Sequence, residues 1–384
     1  MVTHPSASEL RQSVIRNAKS VVVKVGTRVL TTPDGKLDRD RVNTLARQLC
    51  GIADSDRQVV MVSSGAVGAG LGKLGLSVRP TGLAQLQAVA AVGQTDLIQA
   101  YETAIAASGR HAAQVLLTRS DLRRRSGYLH VRNALRQIHA FGAIAVVNEN
   151  DSVAVGELMT TFGDNDRLAA ELAGLLNDAL LVILSDVDGL FDGSPDDLSS
   201  KCIDVVESLS EDIFSLAQDH TGSLSKGGML SKLNAAKIAT SYGHPTIIAP
   251  GRDDRVLDKI FAGDSIGTLF LTTEKSIRGR RRWIGTAAKV SGTLHLDAGA
   301  ARALHQQGRS LLAIGIRQVS GQFKRGSVVA IVDDHEKEIA RGLCNYTSEE
   351  VEKIKGKASD KITEILGHRP YESVVHRDNM TITK

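Results

Sequence analysis

Carboxylates and amides crowd one stretch of the sequence. Asn148-Glu149-Asn150-Asp151 and Asp164-Asn165-Asp166 fall between two apolar runs, 143–147 and 179–184, and the second run closes on Ser185-Asp186. Short apolar runs of this kind read as buried strands, and charge next to a buried strand is costly without a partner. Turn formation and helix capping account for such residues taken singly. Their recurrence at strand ends points instead to a site that handles cations, amines or phosphates.

Lysines and glycines supply the complementary half of that chemistry. Lys24-Val25-Gly26-Thr27 sets a lysine beside a glycine turn, and Ser63-Ser64-Gly65-Ala66 offers small residues that let the backbone approach an anion. Lys226-Gly227-Gly228-Met229-Leu230-Ser231-Lys232 adds two lysines and a glycine pair at the head of a helical pattern. Each has an ordinary structural reading: a snorkelling lysine, a tight turn, a helix entry. Together they favour phosphoryl transfer, which is catalysed mainly by positioning and by neutralising charge.

The elements that must position these residues alternate regularly. Strand-like runs at 20–25, 58–62, 112–117, 143–147, 179–184, 246–249 and 268–271 are separated by helical patterns, including 38–53, 82–107, 127–141, 166–176 and 229–242. Asp164 or Asn165 is placed to cap the 166–176 helix. This alternation predicts an α/β fold: an open, mostly parallel sheet sandwiched by helices. Ligands of such sheets bind beyond the carboxyl ends of the strands. Lys24, Ser63-Ser64, 148–151 and Ser185-Asp186 all fall at such ends.

Two familiar nucleotide signatures are excluded. Gly70-Leu71-Gly72-Lys73-Leu74-Gly75 matches G-x-G-x-x-G in form but sits too far past its strand, and no acidic residue ends a strand about 20 residues on. Lys36 and Lys73 are each followed by Leu where a Walker loop needs Ser or Thr.

At 384 residues the chain exceeds what one core usually serves. Its texture changes after Glu274. Residues 275–384 hold 20 Lys and Arg against 12 Asp and Glu, a charge of +8, so the first 274 carry −4 within a total of +4. The expected division is a first domain at 1–274, a basic linker at 275–287, a small β-rich domain at 288–367 and a tail at 368–384. The +8 segment admits a nucleic-acid surface, although an aromatic content of 3% leaves few stacking platforms. No run approaches the length of a membrane span, and the N-terminus lacks a secretory pattern. Cys50, Cys202 and Cys344 show no metal or disulfide spacing. The chain reads as cytoplasmic, with no membrane partner and no protein-bound metal cluster.

The order of the motifs resembles the amino acid kinase family. Val-Val-Lys-Val-Gly-Thr at 22–27, Val-Ser-Ser-Gly-Ala at 62–66, Asn-Glu-Asn-Asp at 148–151, Gly-Asp-Asn-Asp at 163–166, Ser-Asp-Val-Asp-Gly-Leu-Phe at 185–191 and Gly-Gly-Met-x-x-Lys at 227–232 carry the likeness. It is greatest to the members that phosphorylate glutamate. Residues 288–367, with Asp-Ala-Gly-Ala-Ala at 297–301 and Gly-Gln-Phe-Lys-Arg-Gly at 321–326, resemble a PUA domain.

The resemblance implies ATP-dependent phosphorylation of the γ-carboxylate of L-glutamate as a first step of proline synthesis, with feedback inhibition by proline and a dimeric or tetrameric assembly. It implies Lys24, Lys232 and Asp166 as catalytic, with Asp166 aligning the lysines. Ser64, Asp151 and Asn165, with Asp164 alongside, would hold glutamate. Lys24, Ser185, Asp186, Lys226, Gly227, Gly228, Met229, Leu230, Ser231 and Lys232 would bind ATP, and Mg2+ would ride on its phosphates. Another acceptor (a different carboxylate, a carbamate or a nucleotide) and RNA contact through the PUA domain stay open. The chain departs from the family where Lys226 stands in place of a threonine, and where 311–315 read Leu-Leu-Ala-Ile-Gly in place of Leu-Leu-Pro-Lys-Gly.

Overall fold

The computed structural model describes residues 5–153, 164–195, 197, 199–217, 228–272, 284, 288–368 and 371–383. Two compact units divide the chain, the larger made of Met1–Asp121 and Leu129–Ser276 and the smaller of Leu122–Tyr128 and Ile277–Lys384. Among the described residues, no helix is long and apolar enough to cross a membrane.

Valine-rich and isoleucine-rich runs with no alternation form the larger unit's sheet, as expected of strands covered on both faces. Its strands are β1 (Ser20–Val25), β2 (Gln58–Ser63), β3 (Ala112–Leu117), β4 (Ile144–Glu149), β5 (Ala179–Ser185), β6 (Val205–Val206), β7 (Thr246–Pro250) and β8 (Thr268–Phe270), in the order β3-β4-β2-β1-β5-β7-β8-β6. Neighbours run parallel except β7 and β8. One core packs sheet residues such as Val23, Met61, Val146 and Val182 against Leu45, Leu49, Leu97 and Tyr101 from the covering helices.

The register explains why distant motifs meet. Val25 pairs with Ser63 of β2 on one side and with Leu184 of β5 on the other. One step further, Gly26, Ser64 and Ser185 therefore arrive together at the carboxyl edge. β1 lies where the strand order reverses, toward β2 on one side and β5 on the other, and the crevice at such a switch point is where doubly wound sheets bind ligands.

The glycine-rich stretch after β2 is a helix, Ala66–Leu74, entered through Gly65 at φ 101°, a conformation that side chains disfavour. Its glycines serve packing. A Cβ on Gly70 would collide with the Val89 carbonyl, and one on Gly93 with the Ala66 carbonyl and Gly70 backbone, so the helices Ala66–Leu74 and Leu83–Ala106 touch backbone to backbone. The exclusion of a dinucleotide loop thus has a physical counterpart.

Two local expectations change. The helix expected over 166–176 begins earlier and runs Asp164–Ala173. Asn165 is therefore inside the first turn, and its amide is used by neighbouring strand ends rather than as a cap. The segment expected as a tail supplies a strand instead. The smaller unit is a five-stranded sheet of β9 (Val290–Leu296), β10 (Ile316–Ser320), β11 (Val328–Val332), β12 (Glu338–Cys344) and β13 (Val375–Ile382), ordered β10-β9-β11-β12-β13. β13 pairs antiparallel with β12, and Val375 and Met380 join the core formed by Leu294, Val329, Ile331 and Tyr346. The exposed alternate residues His376 and Asp378 give it the look of a polar tail in sequence.

Candidate active site

A cavity of about 510 Å³ opens at the carboxyl edge of β1, β2, β4 and β5. Lys24 lines it from near the end of β1, and its Nζ lies 2.6 Å from Asp166 Oδ1. Asp166 also accepts a hydrogen bond from Ser231 Oγ at 2.9 Å. Lys232, one turn into the helix Gly228–Ser241, donates from Nζ to the Gly228 carbonyl at 2.8 Å and lines the same cavity.

Electrostatics couple these three groups. Burial works to raise the pKa of Asp166, but the charges of Lys24 and Lys232 and the hydrogen bonds from Lys24 and Ser231 outweigh it, holding the carboxyl below its ordinary value. Burial lowers the pKa of Lys232; Asp166 pulls it up, and the nearby Lys24 pushes it down. Asp166 thus pairs with Lys24 and acts through its charge on Lys232, and the two ammonium groups line one cavity, which suits a spread negative charge on a transferring phosphoryl group.

An amide relay forms a second part of the wall. Asn165 Nδ2 donates to Ser64 Oγ at 3.2 Å and to Asn148 Oδ1 at 3.1 Å, and Asn148 Nδ2 donates to Gln94 Oε1 at 2.8 Å. Asp151 follows shortly after the end of β4 at Glu149. Burial, then the charge of Glu149, raises its pKa to about 6, with Arg79 opposing. Its Oδ1 is buried without a hydrogen-bond partner among the described residues. A carboxylate so placed calls for a cationic ligand.

The remaining wall is more apolar. Leu190, Phe191, Leu216, Ala217 and Met229 line the cavity together with Ser185 and Asp186. Ser185 Oγ donates to Asp186 Oδ1 at 3.0 Å, and Arg28 Nη1 donates to Asp186 Oδ2 at 2.7 Å. Burial works against the Asp186 carboxylate, but these hydrogen bonds prevail and keep its pKa low.

Of the residues singled out in the sequence, Lys24, Ser64, Asp151, Asn165, Asp166, Ser185, Asp186, Gly228, Met229 and Lys232 line this one cavity. Ser231 reaches it through Asp166, and Leu230 is not among the lining residues. Lys226 and Gly227 lie outside the described residues, as does the side chain of Asp164. Arg28, Arg79, Asn148 and the apolar lining other than Met229 carry no site assignment from the motifs. Arg28 directly follows the Gly26-Thr27 turn, which is a local signal. Arg79 sits in an irregular connection with no periodicity to mark it.

The chain is similar to known proteins along almost its whole length. The amino acid kinase family matches residues 19–250, and the PUA domain matches residues 292–366. The chain is 61% identical to the glutamate 5-kinase of Rhodopirellula baltica over 97% of its own length and 96% of that protein. It is 47% identical to the glutamate 5-kinase of Caldanaerobacter subterraneus, covering 94% of this chain and 97% of that one, and 42% identical to that of Pseudomonas fluorescens, covering 97% and 100%. The family match takes in every strand from β1 to β7 and every described residue of the cavity, and on that ground the chain belongs to the amino acid kinase family.

Proposed function

We infer that this enzyme transfers the γ-phosphoryl group of ATP to the γ-carboxylate of L-glutamate, forming γ-glutamyl phosphate. The observation that carries the reading is the Lys24–Asp166–Lys232 cluster, which shares one cavity with Asp151 and its buried Oδ1. A carboxylate oxygen of glutamate attacks the γ-phosphorus, a new O–P bond forms, and the bond to the β-phosphate oxygen breaks with ADP leaving. The nucleophile is ionised at neutral pH, with an ordinary pKa near 4.3, so no protein base is required. Lys24 and Lys232 neutralise the charge spread over the phosphoryl oxygens, and Asp166 keeps both in place.

Ser64, Asp151 and Asn165 hold the amino acid in this reading, with the ammonium group against Asp151. The wall of Ser185, Asp186, Phe191 and Met229 takes the nucleotide, with Lys226 and Gly227 assigned to it from the sequence motif alone. Mg2+ would come with ATP, held by phosphate oxygens rather than by a protein cage, and would add neutralising charge beside Lys24 and Lys232. Inhibition by proline and a dimeric or tetrameric assembly belong to the same proposal and rest on kinship with the glutamate 5-kinases. Incubation with ATP, magnesium, glutamate and hydroxylamine tests the reaction, because an acyl phosphate is trapped as its hydroxamate. Formation of γ-glutamyl hydroxamate is expected, and turnover of ATP with no hydroxamate would remove the acceptor assignment.

A further inference from the structure

Among the described residues, four cationic side chains line the cavity: Lys24, Arg28, Arg79 and Lys232. Three are engaged, Lys24 with Asp166 at 2.6 Å, Arg28 with Asp186 at 2.7 Å and Lys232 with the Gly228 carbonyl at 2.8 Å. Arg79 makes no hydrogen bond or ion pair among the described residues. Its side chain is exposed at the cavity rim, on the connection between the helices Ala66–Leu74 and Leu83–Ala106. It lies near enough to Asp151 for its charge to act on that carboxyl, against burial and Glu149.

An α-amino acid carries an ammonium and a carboxylate on one carbon atom, so a site that reads both needs an anion and a cation side by side. Asp151 is the anion with an unmet buried oxygen. Arg79 is a cation lining the same cavity whose charge acts on Asp151 and which has no hydrogen-bond or ion-pair partner among the described residues, and a guanidinium presents paired N–H donors that match a carboxylate. Gly65 and Ala66, at the entry of the helix Ala66–Leu74, line the same cavity, and the N–H groups of a helix N-terminus favour an anion.

We propose that Arg79 binds the α-carboxylate of the acceptor and thereby selects a free α-amino acid over an acceptor in which that carboxylate is masked. The proposal rests on glutamate as the acceptor. It assigns Arg79 to substrate selection and leaves the phosphoryl-transfer step to Lys24 and Lys232.

The test compares glutamate with its α-carboxamide, isoglutamine, which retains the γ-carboxylate, as substrate or as competitive inhibitor. Arg79→Ala should raise the KM for glutamate about tenfold, the loss expected for one charge-assisted contact, without moving the KM for ATP. Isoglutamine should bind wild type and Arg79→Ala alike, and Arg79→Lys should recover part of the glutamate affinity. An equal loss for both acceptors, or no loss for either, overturns the proposal. Because wild type is assayed alongside, a wild-type enzyme that forms no γ-glutamyl hydroxamate overturns the acceptor assignment, and this proposal with it. An enzyme that forms it yet shows no selective effect at Arg79 overturns this proposal alone.

Discussion

Lys24 Nζ and Asp166 Oδ1 approach to 2.6 Å with side-chain exposures of only 9% and 5%. An ion pair taken that far out of water is costly to break from one side, about 3–5 kcal/mol, because the survivor is left as a buried charge. Asp166→Ala leaves Lys24 as such a survivor and removes the charge that offsets the burial of Lys232. The expected outcome is loss of turnover by at least about a hundredfold together with a lowered thermal midpoint. Lys24→Met in the same background should restore part of the stability but none of the activity. Thermal denaturation and hydroxamate assays on the two single variants and the double variant check both parts.

The same pair sets a pH limit. Asp166 has a depressed pKa in the folded chain, so its contribution is full above the ordinary carboxylate value of 3.8 and is lost as pH falls through the lower folded value. Wild type should lose stability through that acid window, and Asp166→Asn should show a shallower dependence. Denaturation midpoints measured at successive acid pH values test this.

Asp151 behaves in the opposite sense. Its pKa is raised to about 6, chiefly by burial, so below that pH it is protonated and holds an ammonium poorly. The KM for glutamate should fall as pH rises from 5 to about 7 and then level, while the KM for ATP follows no such curve. Asp151→Asn should abolish the dependence and keep the KM high throughout. For stability the sign is reversed: the folded chain binds the extra proton between 3.8 and about 6, so ionising Asp151 in the unliganded protein costs stability as pH rises through that window. A glutamate KM that is flat between pH 5 and 7 in wild type would contradict the role given to Asp151.

Much of this arrangement is legible in the sequence because it depends on short-range rules. Strands β1, β2, β4 and β5 announce themselves as apolar runs, and the polar residues at their ends are where open α/β sheets bind ligands. What escapes is whatever depends on register or on packing between distant elements. The alignment of Gly26 with Ser64 and Ser185 follows from strand order, which no local pattern encodes. Gln94 looks like one polar position on an apolar helix until the fold sets it against Asn148. Residues 375–382 look like a tail because a strand with one exposed face alternates weakly, and only the vacant edge of β12 makes it part of a sheet.

Backbone packing at Gly93 yields a separate prediction. A Cβ there would overlap the Ala66 carbonyl oxygen and the Gly70 backbone, neither of which is the yielding end of a side chain. Gly93→Ala should therefore force apart the helices that carry Ala66 and Gln94, costing at least about 3 kcal/mol. Ser64 and Gly65 lie at the entry to one of those helices, so glutamate affinity should drop with stability. Thermal midpoint and soluble yield report the first effect, and the KM for glutamate the second. Gly51, where an added Cβ would meet nothing within 4 Å, provides the control: Gly51→Ala should leave both readouts near wild type.

The relay from Gln94 to Asn165 makes a finer prediction about amide orientation. Asn148 accepts from the Glu149 backbone N–H at 2.9 Å, and an N–H can only donate, so the Asn148 atom on that side is its oxygen. Its Nδ2 must then face Gln94, whose Oε1 accepts at 2.8 Å inside the core. The same Asn148 oxygen accepts from Asn165 Nδ2, which also faces the Ser63 carbonyl at 3.4 Å. Asn165 is thereby oriented with its nitrogen toward the strand ends and its carbonyl on the opposite side of the amide. Gln94→Met keeps the volume but removes the acceptor, so it strands the buried Asn148 donor at a cost of about 1–3 kcal/mol. The relay then has no reason to keep its orientation. The expected signature is a raised KM for glutamate with kcat and the KM for ATP much less affected, since Lys24, Lys232 and Asp166 are untouched. Gln94→Glu retains an acceptor for Asn148 and should bind glutamate better than Gln94→Met. If the two variants lose glutamate affinity equally, Gln94 acts through packing alone and the orientation argument fails.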